Sequence, residues 1–532
     1  MKRLVALCLS LILILSGCSN MPDFGSIVSR NARMDEDAVL SLYSYIPNTL
    51  NPYVTNYDST WDMLRLVYDS LFETALDMSA VPVLAKGFAA SENNTVYTVT
   101  LEKAKFHGGK DFNADDVIAS VFYARNFSTF YSKTLSIVQY VEKQSDDTVV
   151  FRLTEPNACF VNLLDFPIMP ANLEETDFDE NNSEFIPIGT GKYKIQDIVK
   201  GKKITLMRND DREIGEKPLI KTIDINLVGG PDLPMYAFNS GSVDIIDSDT
   251  FKWGDFGINI DYTTKEYTSN KYEFIGLNHD NVVLESVSVR NALNYAIDKT
   301  HIADNIKYSH VKPVNSPVNP DSYFSTVKYD KVDFDTLQAK TILEKDGWLD
   351  LDGDGVLDKV IENETYSLSF NIIVNEDNAE RVAVANYVAE ALRKCQMNAY
   401  VSVLDFATYN DRIVSGNYDM FIGGVTIPND NDLRFMLKST SIVEKNNHYN
   451  YLNTHLDAIL DKIAASQNSE ELISNYGEFQ NFFENEFPHI SLYFENGAVL
   501  TNTRVKPEIP VTLSNIYGGI QDIFIEKVET KE

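Results

Sequence analysis

The stretch Tyr272 to Ile306, YEFIGLNHDNVVLESVSVRNALNYAIDKTHIADNI, decides the fold, because it turns a strand into a helix through a loop placed to face a ligand. Phe274, Ile275 and Leu277 form a short apolar run of the kind found in buried strands, and Asn278 to Asn281 break it with turn formers. From Val289 the apolar residues fall at Val289, Ala292, Leu293, Ala296 and Ile297, which share one face of a 3.6-residue helix. Ser286 or Ser288 is available as its cap, and the same spacing puts Arg290 on the polar side. A strand, a ligand-facing loop and an amphipathic helix in succession predict an α/β protein.

At 532 residues the chain is too long for one core, so at least two lobes are expected. Hydrophobic residues at 44% and charged residues at 23% are ordinary globular proportions and argue against long disorder. The N-terminus has the three parts of a secretory leader: Lys2 and Arg3, an apolar run from Leu4 to Leu15, then Ser16-Gly17-Cys18. The apolar run is too short to span a membrane in the mature protein. The sequence LSGC is similar to a bacterial lipobox, which makes residues 1–17 a lipoprotein signal peptide and Cys18 an acylated first residue holding the chain at a membrane surface. Residues 18–37, polar and weakly patterned, read as a tether.

Of four cysteines, Cys8 and Cys18 belong to this leader, and Cys159 and Cys395 cannot build a disulfide framework. The formal charge of −32, or −34 once Lys2 and Arg3 leave with the leader, disfavours nucleic acid and anionic lipid as main partners. An enzyme needs a constellation of reactive groups. The chain has no G-x-S-x-G elbow, no H-E-x-x-H, and no metal spacing among its seven histidines. Gly189-Thr190-Gly191-Lys192 fails as a phosphate loop, because Tyr193 stands where Ser or Thr must hold Mg²⁺.

A series of segments, taken in order, carries a family resemblance. Val81 to Phe88 holds a P-x-LA pattern, Tyr97 to Gly109 a strand with F-H-x-G, and Asn113 to Asn126 a helix opening on A-D-D-V. Ile188 to Tyr193 is like a GTGPY turn with Lys192 in place of proline, its glycines expected at φ > 0. Phe238 to Ile245 is like L-x-S-G-x-V-D, and Val289 to Asp298 like V-R-x-A-x-x-Y-A-I-D. Pro488 to Asn496 is like a closing P-x-I-P-L-Y strand. Together these resemble the extracellular solute-binding proteins of the oligopeptide, dipeptide and nickel family, over roughly residues 38 to 526.

The resemblance implies a two-lobed, periplasmic-binding-protein-like (type II) α/β fold, with an extra subdomain inserted in the first lobe. Lobe I would comprise residues 38–267, with the insertion near 72–187 and residues 498–532 returning to it; lobe II would comprise 268–497. It also implies a binding role without catalysis: a monomer that closes around a small, peptide-like solute and passes it to an ABC permease and ATPase. A ligand-sensing lipoprotein of the same fold and a secreted hydrolase are the contrasting readings. Cys159 and Cys395 would lie in different lobes as free thiols.

Two segments are candidate sites. In the peptide-binding branch, an aspartate after the strand corresponding to Met420 to Ile422 receives the ligand's α-ammonium; here Ile427 and Pro428 stand in its place. Asp430 and Asp432 are the nearby acids for an ammonium, Arg434 a bidentate donor for a carboxylate, and Asn278 the opposite wall. The second is LDLDGDGVLDKV, where Asp350, Asp352 and Asp354 with Gly355 follow the first half of an EF-hand loop. The bidentate glutamate is missing, since Ile361 holds its position. A weak calcium site and a plain surface hairpin both remain open there, and no other cofactor is expected.

Overall fold

The computed structural model describes residues 33–91, 93–230, 232–247, 260–326, 334–442 and 447–527. Cys18 and most of the leader and tether lie outside these residues. Among the described residues no helix is long and apolar enough to cross a membrane.

In chain order the main elements begin with β1 (Val39–Tyr45) and the short α1 (Asp58–Leu64). Next come β2 (Ala85–Ala90), β3 (Val96–Leu101), α2 (Ala114–Phe127), β4 (Val138–Ser145) and β5 (Thr148–Leu153). They form a small antiparallel sheet of order β2-β3-β5-β4, backed by α2. β3 is therefore an interior strand, although its alternation reads like an edge. The N-A-D-D sequence predicts an N-cap and two acids in the first turn; Asn113 does cap α2, and Asp116 adds a capping box.

β6 (Tyr193–Val199), β7 (Lys203–Arg208) and β8 (Thr222–Val228) return to β1 and make a second sheet, in which β1 runs parallel to β8. One large core joins both sheets with the C-terminal residues Val505 to Ile525.

The chain then enters a seven-stranded sheet. Its members are β9 (Ile245–Asp247), β10 (Tyr262–Leu277), β11 (Val311–Pro313), β12 (Ser369–Asn375), β13 (Asn398–Leu404), β14 (Met420–Thr426) and β15 (Ile490–Asn502). The order is β9-β15-β10-β14-β12-β13, with β11 also on β15. Successive residues of β10 serve opposite faces: Ile275 and Leu277 enter a core with α3 (Val287–Ala296) and α4 (Ala379–Lys394). Tyr272 and Phe274 enter another with α5 (Thr454–Ala465) and α6 (Ser469–Glu486). The sequence reads Ser367 to Val374 as a strand, Arg381 to Lys394 as an amphipathic helix and Tyr400 to Leu404 as a strand, a βαβ unit, and β12 and β13 do pair in parallel.

β10 and β15 tie the two bodies together. Their far ends reach the first body: Val499 of β15 joins its core beside Ile245 of β9, and Tyr267 of β10 packs against it. Their pairing slips between Thr268 and Tyr272, a bulge that places Ser269 to Lys271 where the bodies meet.

Two expectations need correction. Arg290 is not on a polar face: it is 2% exposed and donates to the Leu284, Glu285 and Glu486 carbonyls, so the periodicity hid a buried, satisfied guanidinium. Gly189 and Gly191 are not needed for φ > 0, since neither has it. A Cβ on Gly189 would lie 2.0 Å from the Val67 oxygen and one on Gly191 2.5 Å, so close backbone approach is the reason for both.

Candidate functional site

The loop after β14 crosses from the second body to the first. Ile427, Leu433, Met436 and Leu437 root it in the second core, and Tyr476 of α6 both accepts from the Asn431 amide at 3.0 Å and donates to the Asn431 carbonyl at 2.9 Å. The polar residues between those anchors reach residues 155–165 of the first body. Asn157 Nδ2 donates to Asp430 Oδ2 at 2.6 Å, and Asp430 Oδ1 accepts from the Asp432 amide at 3.2 Å. Arg434 Nη2 donates to the Pro156 carbonyl at 2.9 Å, and Nη1 lies 3.1 Å from Glu155. Arg434 Nε also bonds both oxygens of Asp432 at 2.9 and 3.0 Å. A cavity of about 20 Å³ lies behind, lined by Asn157, Cys159, Asp430 and Tyr476 among others.

Beside it runs a head-to-tail chain of side-chain amides. Asn319 donates to Asn270 at 3.2 Å, Asn270 to Asn429 at 3.2 Å, and Asn429 to Asp165 Oδ2 at 3.1 Å. Such chains polarise one another in a water-poor seam. Asp165 in turn faces Arg65, whose Nη2 lies 3.7 Å from its carboxylate and whose guanidinium sits 3.8 Å from the Trp61 ring centroid. Burial pushes the Asp165 carboxyl up, and Arg65 opposes this. Asp430 is pushed further, to about 7, first by burial and then by the Asp432 charge. Burial also lifts the Cys159 thiol, to about 12.

The structure brings together three of the four predicted ligand-binding residues. Asp430, Asp432 and Arg434 share the seam, but Asn278 does not: antiparallel pairing of Leu277 with Met420 and of Lys271 with Thr426 puts it at the opposite end of β14. Six residues of strand separate the two ends, about 20 Å. The Asn278 amide is spent on the Gly416 and Tyr418 carbonyls, a local turn role. Arg434 is likewise not an open donor, because its guanidinium is spent on Asp432, Glu155 and Pro156.

Residues that the sequence reading passed over form the rest of the seam: Arg65, Asn157, Asp165, Asn270, Asn319 and Asn429. One signal was available, since Asn162 and Asp165 interrupt the apolar run Cys159 to Pro170, and a polar residue in such a run is buried for a reason. The asparagines carry no periodic signal.

The acidic loop also differs from expectation. Oxygens of Asp350, Asp352 and Asp358 lie within 4.8 Å of one another, whereas Asp354 is turned to the Val356 amide. Asp358, the buried member, opens the hairpin Asp358–Ile361 and Glu364–Ser367 and accepts from Ser367 and the Leu351 amide. Cys159 and Cys395 are free thiols.

Comparison with known proteins fits this architecture. The sequence profile of bacterial extracellular solute-binding proteins, family 5 (middle part), matches residues 79–447. The chain is 24% identical to the oligopeptide-binding protein AppA of Bacillus subtilis over 515 residues, covering 91% of this chain and 92% of that one. It is 22% identical to the nickel-binding protein NikA of Staphylococcus aureus, covering 97% of each. Among solved structures, AppA of B. subtilis with a nonapeptide matches at TM-score 0.63 and 22% identity, over 93% of this chain and 100% of that one. The unliganded open form of the periplasmic murein tripeptide binding protein MppA matches at TM-score 0.76 and 18% identity, over 93% and 99%. With a two-lobed periplasmic-binding-protein fold and a profile match over most of its length, this chain belongs to the bacterial extracellular solute-binding proteins of family 5.

Proposed function

We propose that this chain is the membrane-tethered substrate-binding component of an ABC importer, capturing a peptide or peptide-like solute between two lobes and handing it to a permease and its ATPase. The lobes would be residues 38–267, with the insertion near 72–187 and the return of 498–532, and residues 268–497. The observation that supports this most is the polar seam between the bodies, where Asn270, Asn319 and Asn429 of one body meet Asp165 and Arg65 of the other. Side-chain amides offer paired donors and acceptors that match peptide groups. The relatives' names add that oligopeptides are bound on this fold. No chemistry on the solute is required: binding energy shifts the lobes toward closure.

The test is native mass spectrometry of protein purified without refolding. Release of short peptides supports the reading, and release of a metal chelate or a sugar overturns the solute class. The tether is tested separately. Cys18→Ala should move the protein from the membrane fraction to the soluble one, and retention with membranes would remove the lipid anchor from the reading.

A further inference from the structure

Asp430 differs from every other carboxylate of the seam. Asp165 has Arg65, and Asp432 and Glu155 share Arg434. Asp430, 6% exposed, is held only by the Asn157 amide and the Asp432 backbone N–H, both neutral donors, with no cation within ion-pairing distance among the described residues. A buried carboxylate without a cation costs several kcal/mol, and a proton removes that cost. We propose that the Asn157–Asp430 contact is a proton-operated latch between the lobes: the joined seam carries a proton on Asp430, taken from solvent, and parting the lobes returns it.

The groups that face Asp430 leave it as the one that answers to pH in the neutral range. Across the seam stand Asn157, which does not titrate, and Cys159, whose thiol is held up to about 12. Glu155, further along that segment, faces Arg434. Behind stands Tyr476 of α6, raised well above 10 by burial, and α5 offers only Leu460, Ile463 and Ala464. On its own loop Asp432 repels it and Arg434 attracts it. A protonated carboxyl keeps a carbonyl oxygen to accept from Asn157, so the bond survives protonation while the charge does not.

The direction follows from linkage. With the seam joined, Asp430 titrates near 7; with the lobes apart and the side chain in water, it titrates near the ordinary value of about 3.9. A group whose value is raised in the joined state stabilises that state in acid, and this contribution is lost as pH rises through 7. Between pH 5 and pH 8 the joining equilibrium should fall on the order of a hundredfold. The proposal rests on the lobes moving, as in the reading above, but not on which solute is bound.

The experiment measures lobe separation in the solute-free protein by small-angle scattering and by a dye pair, one dye on each lobe, from pH 5 to 8.5. The parent should expand as pH rises. Asp430→Asn should stay compact and flat with pH, and Asn157→Asp, which sets a second carboxyl against the first, should expand at a higher proton concentration than the parent. Far-ultraviolet circular dichroism checks that both variants are folded. A parent that does not respond to pH, or an Asp430→Asn protein that responds like the parent, overturns the latch. Loss of solute binding with the pH response intact counts against the transport reading instead.

Discussion

The turn at Gly189–Lys192 and the loop at Ile427–Arg434 are both short and polar, and both hold two parts of the molecule together, but by different chemistry. The turn works through backbone. Gly191 donates to the Val67 carbonyl at 2.9 Å, Tyr193 to Leu66 at 2.9 Å, His107 to Gly189 at 2.9 Å and Asn209 to Lys192 at 2.8 Å. The loop works through side chains, from Asn429 to Asp165 and from Arg434 to Pro156. Backbone packed on backbone admits only glycine, so the turn leaves a recognisable signature. Side-chain bridges can be built from many residue sets, so the loop leaves none.

The largest effect is expected from one methyl group added to the turn. Gly191→Ala would place Cβ 2.5 Å from the Val67 carbonyl carbon and oxygen and 2.6 Å from the Leu66 oxygen. Backbone cannot yield as a side chain can, so we expect a loss of about 4 kcal/mol or more and failure of the first lobe to fold stably at physiological temperature. Denaturant unfolding checks it. A change under about 0.5 kcal/mol would show that the turn is not held by close approach.

Next in size is Arg290, an intermediate case in which a side chain satisfies backbone. Its guanidinium accounts for the Leu284, Glu285 and Glu486 carbonyls at 3.0, 2.6 and 2.9 Å. Arg290→Ala strands those acceptors in a buried site and should cost about 3 kcal/mol. Arg290→Lys should recover little, because an ammonium cannot span three carbonyls as a planar fork does. Equal melting of the parent and Arg290→Lys would mean that charge alone matters here.

These cases explain what was legible in the sequence. The apolar run of β10, the β12-α4-β13 unit and the Asn113 cap of α2 were readable because apolar runs, period and cap chemistry act locally. Arg290 misled, since helical spacing reports which residues share a face but not whether a polar one on that face is buried and satisfied. Asn278 misled for a topological reason: it lies near the right strand but at the wrong end, which only the β10-β14 register reveals. The seam residues Asn157, Asp165 and Asn270 are far apart in sequence and meet only when the bodies meet.

A smaller effect is expected in the side-chain loop. Tyr476 braces the loop with one bond donated and one accepted, both to Asn431. Tyr476→Phe keeps the ring stacked on Phe324 and removes both bonds, so about 1 to 2 kcal/mol should be lost. Thermal melting of the purified parent and variant checks this. A variant that melts with the parent would show the loop held by its apolar anchors alone.

The smallest effect belongs to a third kind of loop, in which glycine is required by conformation. Gly353 and Gly355 have φ of +84° and +91°, with open space where a Cβ would stand. They fold the chain so that Asp350 accepts from both glycine amides and its carboxylate comes near those of Asp352 and Asp358. Three carboxylates in one small volume repel one another, and a hard cation would relieve them, but the missing bidentate glutamate at the end of the loop limits affinity to about the millimolar range. At 5 mM calcium and a dissociation constant near 1 mM the linkage gain is about 1 kcal/mol, a rise in melting temperature of about 1 to 2 °C. Asp350→Asn should abolish the rise and lower the calcium-free melting temperature only slightly, since its one amide oxygen keeps one of the two exposed glycine bonds that the carboxylate takes on separate oxygens. Asp358→Asn should abolish it and also lower the calcium-free melting temperature, because that buried carboxylate holds the Leu351 amide and the Ser367 hydroxyl. A parent whose melting is unmoved by 5 mM calcium would leave the loop as a hairpin whose glycines serve shape alone.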